Sequence, residues 1–81
     1  MPTVRTKIGY YKRITDEQWV AYTVGSAKPT YITGGDSACR QYFKRDVGPQ
    51  QSTASVKIEF VQQDLKGVIA FDVFKLAPGP S

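Results

Sequence analysis

Hydrophobic and polar positions alternate with a period of two along much of this chain, the spacing of a half-buried strand. From Thr3 to Arg13 the alternation puts Val4, Thr6, Ile8 and Tyr10 on one side and Arg5, Lys7, Tyr11 and Arg13 on the other. The first set is expected to enter a core and the second to meet solvent. Gly9 sits inside this stretch, where a glycine often marks a bulge or sharp bend. A polar turn follows at Thr15-Asp16-Glu17. Residues 19–24 then predict a second strand, with Val20, Tyr22 and Val24 opposite Trp19, Ala21 and Thr23. Gly25 to Pro29 breaks it. Thr30-Tyr31-Ile32-Thr33 is β-prone and is expected at an edge, because Pro29 begins it.

One helix interrupts the strands. Gly34-Gly35-Asp36 turns the chain, and a helix is expected over about residues 37–45, with Asp36 as N-cap and Ser37 as a competing cap. Ala38, Cys39, Tyr42 and Phe43 make its apolar face. Lys44 and Arg45 complement the dipole in its last turn. Gly48 and Pro49 stop it. Residues 50–55 read as a polar loop. Val56, Ile58 and Phe60 alternate with Lys57, Glu59 and Val61 in a half-buried strand, and residues 62–67 form a hairpin connection ending at Gly67. Residues 68–76 are apolar on both faces apart from Asp72 and Lys75, which predicts a central strand or one covered by a partner. A single domain is expected over residues 1–76, with a flexible tail over 77–81.

The fold class is therefore mostly β with one short helix, in the order β-β-(β)-α-β-β. With a strand at residues 30–33, that order matches an OB-like small barrel, a fold that binds single-stranded nucleic acid on strands 2 and 3 and adjacent loops. Without it, two hairpins make an antiparallel sheet with the helix packed across one face. Eighty-one residues with a 41% apolar share form a small core, burying about 60% of the surface an unfolded chain exposes. No apolar run approaches the roughly 20 residues of a membrane span, and no signal peptide is visible. A lone Cys39 is expected to be a buried, inert thiol. These features point to a cytoplasmic protein.

Charge adds direction to this outline. Eleven basic residues face seven acidic ones, for a net +4. Arg5, Lys7, Lys12 and Arg13 all precede the first acid, Asp16, and Arg40, Lys44 and Arg45 form a second cluster. From Asp46 onward the charges nearly cancel. Catalytic chemistry is sparse. No histidine is present to act as a base near neutral pH, and the carboxylates are scattered singly apart from Asp16-Glu17. One Cys without His rules out an ordinary structural zinc site. No enzyme activity, cofactor or metal is expected. Gly34-Gly35-Asp36-Ser37 is read as a tight turn with a cap, not a phosphate cradle. Asp72 interrupts the most apolar stretch and needs a basic partner if buried, with Lys57 or Arg5 as candidates.

Two functions compete. In the first, Tyr11, Trp19 and Tyr31 stack on bases of single-stranded DNA or RNA while Arg5, Lys7, Arg13 and Lys28 neutralise phosphates. In the second, the chain is a protein-interaction module, an inhibitor, adaptor or assembly subunit of the kind a phage or mobile element encodes, pairing through a free edge of residues 68–76. A homodimer is compatible with both.

Overall fold

The computed structural model describes residues 3–47, 57–64 and 66–78. Five strands, β1 (Thr3–Arg13), β2 (Gln18–Thr23), β3 (Thr30–Thr33), β4 (Lys57–Gln62) and β5 (Ala70–Pro78), form one sheet in the order β3-β2-β1-β5-β4. Every neighbouring pair is antiparallel. A helix, α1 (Gly35–Tyr42), follows β3 and runs on into a π-helical turn at Phe43–Val47. The strand at residues 30–33 forms at an edge, as Pro29 implies. Among the described residues β3 and β4 each pair on one side, so the sheet is open and not closed as a barrel. The expected loop at residues 50–55 lies outside the described residues.

The doubly apolar stretch is an inner strand. β5 pairs with β1 on one side and β4 on the other, so the free edge expected at residues 68–76 belongs instead, among the described residues, to β3 and β4. β5 also extends through Ala77 and Pro78, which pair with Val4 and Thr3. Ala77 and Pro78, expected in the tail, are therefore strand residues. Pro78 ends the strand, a position where its missing N–H is tolerated.

A bulge in β1 decides which side chains face which way. Lys7 pairs with Phe74 and Gly9 with Val73, so Ile8 is one residue more than β5 can match. An inserted residue reverses the alternation beyond it. Arg5 and Lys7 before the bulge therefore share a face with Tyr10 and Lys12 after it. Tyr11 turns to the opposite face, against the expectation from unbroken alternation. Gly9 is required here. A Cβ at this position would collide with the Tyr22 carbonyl oxygen and lie 2.8 Å from the Phe43 ring. With no side chain, Phe43 seats directly on the strand.

The core lies between the sheet and α1. Tyr11, Trp19, Ala21, Cys39, Phe43 and Val73 are buried together, with Ile8, Ile32, Tyr42, Ile58, Phe60 and Phe71 packed around them. Tyr11 is its centre. Its ring stacks on Phe71 at 5.1 Å and meets Trp19, Phe43 and Phe60 at 5.9–6.1 Å. The apolar face expected for the helix is the one that packs, with Cys39 and Phe43 fully buried. The cap differs from expectation. Gly34, at φ 122°, is the N-cap, and no side chain caps the helix. Asp36 falls within the first turn, where its carboxylate has another partner. It accepts the Tyr11 hydroxyl proton and pairs with Arg40 Nε at 2.9 Å, while Arg40 also donates to the Tyr11 oxygen at 3.1 Å. The buried phenol is thus satisfied, as a buried hydroxyl must be.

Candidate nucleic-acid interface

The sheet face turned away from α1 is the candidate surface. Its side chains follow from the register. Tyr22, Tyr10, Asp72 and Val61 share one cross-strand row. Tyr31, Val20, Lys12 and Ala70 share the next. Lys7 lies in a row with Phe74 and Glu59, and Arg5 in a row with Leu76 and Lys57. This face thus holds four cations, Arg5, Lys7, Lys12 and Lys57, against two carboxylates, Glu59 and Asp72.

Aromatic rings and cations interleave on it. Tyr10 and Tyr22 stack with centroids 4.7 Å apart and planes 12° from parallel. Lys7 Nζ is 5.9 Å from the Tyr10 centroid and Lys12 Nζ is 6.0 Å from that of Tyr22. The Arg5 guanidinium covers Phe74 at 3.8 Å. Val20 and Ala70, which flank Lys12 in its row, are both buried, so the lysine stem spans apolar neighbours while its charge reaches outward. Tyr31 on the edge strand is 62% exposed. A groove of about 280 Å³ opens beside the tyrosine pair, lined by Lys7, Gly9, Tyr10, Tyr22, Thr23 and Val24.

The cations differ in how free they are. Arg5 Nε is 2.8 Å from Glu59 Oε1, and Lys7 Nζ is 3.0 Å from Asp72 Oδ1. Lys12 has no carboxylate partner among the described residues. Both ion pairs are partly exposed, so they are weak and yield to competing phosphates. Gln63 Nε2 also donates to Asp72 Oδ1, at 2.7 Å. Burial raises the Asp72 carboxyl. The hydrogen bonds from Lys7 and Gln63 and the charges of Lys7 and Arg5 outweigh that and hold it below the usual carboxylate range. The partner that Asp72 needs is thus Lys7, with Arg5 at longer range, and not Lys57.

The residues expected at the interface divide into three groups. Arg5, Lys7 and Tyr31 lie on the open face. Lys28 is exposed in the β2–β3 connection. Tyr11, Trp19 and Arg13 lie on the helix side: Tyr11 and Trp19 are 0% and 6% exposed, and Arg13 sits 3.9 Å from Asp16. Neither buried ring is available to a base, because the bulge and the helix have claimed both for the core. Tyr10, Lys12 and Tyr22 stand on the open face instead. Gly9 was the signal for them, since a bulge there exchanges the faces of Tyr10 and Tyr11.

Among the described residues no three His, Cys, Asp or Glu side chains gather as metal ligands, and no helix is long and apolar enough to cross a membrane. Compared against protein families, curated proteins and solved structures, the chain matches none.

Proposed function

We propose that the protein binds single-stranded DNA or RNA on the helix-free face of its sheet. The observation that carries this is the stacked Tyr10–Tyr22 pair with Lys7 and Lys12 beside it. A single strand needs a flat aromatic surface for each base it lays down and a cation near each phosphate. Tyr10 and Tyr22 supply the first, and Tyr31, in the adjacent cross-strand row on the edge strand, adds an exposed ring. Lys12 supplies a charge with no carboxylate partner among the described residues. Lys7 and Arg5 contribute as their exposed ion pairs open. Lys28, exposed in the β2–β3 connection, adds a further cation. A cytoplasmic location accompanies this function, in keeping with a free thiol at Cys39.

The test is anisotropy of a labelled oligothymidine of about 12 nucleotides, titrated between about 50 mM and 200 mM salt. Binding should weaken steeply with salt. Removing one cation that neutralises a phosphate should reduce the logarithmic slope by about 0.7 for a single strand. Lys12→Ala should show that reduction and Arg13→Ala should not. Equal slopes for parent and Lys12→Ala would remove Lys12 from the interface, and a flat titration at the lower salt would contradict the proposed function.

A further inference from the structure

The groove beside the tyrosine pair is a product of the β1 bulge. Unbroken alternation would follow Tyr10 on the open face with the side chain of Ile8. The bulge turns Ile8 to the helix side, where it packs against the core. Gly9 and its partner Thr23 belong to a row that points with Tyr11 and Ala21 toward α1, and a Cβ on Gly9 would meet the Phe43 ring there. Two consecutive residues of β1 therefore place no side chain on the open face between Tyr10 and Lys7. The space left between those two is the groove of about 280 Å³.

Its walls come from both strands. Tyr10 and Tyr22 bound it on the side nearer Lys12, and Val24 and Lys7 on the other. The Val24 backbone N–H donates to the Ile8 carbonyl at 3.0 Å, which fixes this end of the wall, while 64% of the residue stays exposed. Tyr22 and Val24 are two apart on one strand, so their side chains stand about 6.5–7 Å from each other. A flat ring touching both at about 3.5 Å fits between them. Tyr10 and Tyr22 stack on each other across the strands, so they turn ring edges toward the groove. Aromatic edges are electropositive and favour the face of another ring. Lys7 is the one charged residue of the lining.

We propose that this groove takes one base of the bound single strand, slotted between the tyrosine edges and the Val24 side chain, with the adjoining phosphate on Lys7. The proposal rests on the nucleic-acid function above, and the groove is continuous with that interface because Lys7, Tyr10 and Tyr22 belong to both. Its volume lies just under the range of about 300–1,000 Å³ for small-molecule sites, the scale of a single nucleotide and not of a longer segment. Val24 thereby becomes a contact residue of the interface, and its exposure has a use.

Two measurements test this. In the complex with an oligothymidine of about 12 nucleotides, NMR cross-peaks are expected between the Val24 methyl groups and protons of a thymine base. Val24→Ala, at an exposed position that leaves the fold intact, should weaken binding about three- to tenfold. The salt slope should not change, since an apolar contact releases no counterions. Ile14→Ala, which truncates an apolar residue 47% exposed and outside the groove, should bind like the parent. Parent-like affinity of Val24→Ala and no cross-peak to Val24, with Lys12→Ala still lowering the slope, would overturn the inserted base and leave the interface standing. No binding by the unaltered protein would overturn both.

Discussion

Tyr10 and Tyr22 stack across β1 and β2 on the open face, while Tyr11, the very next residue, is buried at the centre of the core. Neighbouring tyrosines therefore have separable duties. Tyr22→Ala should cost about 1–3 kcal/mol of single-strand affinity, the worth of one stacking ring, with a far smaller effect on unfolding by urea. Tyr11→Ala should cost about 3–5 kcal/mol of stability. Equilibrium unfolding alongside oligonucleotide anisotropy separates the two outcomes.

Tyr11→Phe tests the hydroxyl alone. The ring contacts stay, and Asp36 and Arg40 keep each other as partners. The loss should be about 1.5–3 kcal/mol, the range for a hydrogen bond to a charged group. Urea midpoints of the two proteins check it.

Gly9→Ala should be destabilising by at least about 2 kcal/mol, because the added methyl collides with the Tyr22 backbone and meets the Phe43 ring at 2.8 Å. Backbone cannot give as a flexible side chain does. Gly25→Ala meets nothing within 4 Å, yet its φ of +90° also strains a Cβ. The urea midpoint should fall for both, and further for Gly9.

Much of the fold is legible in the chain's alternation. The strand at Thr3–Arg13, the edge strand opened by Pro29, the apolar helix face and the inner position of the last strand all follow from local pattern. The candidate interface was legible less fully, for one reason. Alternation counted through Gly9 sends Tyr11 outward, whereas the extra residue at Ile8 sends Tyr10 outward. Whether a glycine bulges depends on the partner strand and on Phe43 across the core, which no local pattern contains. Trp19 shares that ambiguity. Its strand side is shared with small and polar residues, Ala21 and Thr23, and that side became the core face because α1 packs there. Asp36 likewise suits a cap by position, and the remote Tyr11, with Arg40 one helical turn on, recruits it instead.

Acid should weaken the fold through Asp72. Its carboxyl is held below the usual range in the folded protein, so the folded state favours the ionised form. That contribution is complete above the ordinary carboxylate value of about 4 and is lost as pH falls through the lower folded value. Asp72→Asn should flatten the stability profile below about pH 4. Thermal melts across that range give the comparison.

Alkali should weaken it through the core. Burial, then the charge of Asp36, pushes the Cys39 thiol up to about 11 from 9.0. Burial and the hydrogen bond to Asp36 raise the Tyr11 phenol as well. Both groups favour the neutral form when folded. Their contribution is intact below about pH 9 and declines as pH rises toward 11 and beyond, at roughly 1.4 kcal/mol per pH unit for each group. Cys39→Ala should remove the earlier part of the decline in a denaturant series at rising pH.

The interface is tested at close range with the five tyrosines as reporters. Tyr10, Tyr22 and Tyr31 lie on the open face, and Tyr11 and Tyr42 on the helix side. Aromatic side-chain NMR resonances are followed while an unlabelled single-stranded oligonucleotide is added at low salt. Saturable shifts are expected for Tyr10, Tyr22 and Tyr31, with Tyr11 and Tyr42 nearly still. Shifts confined to Tyr11 and Tyr42, or no shift at any of the five, would rule out binding on the open face.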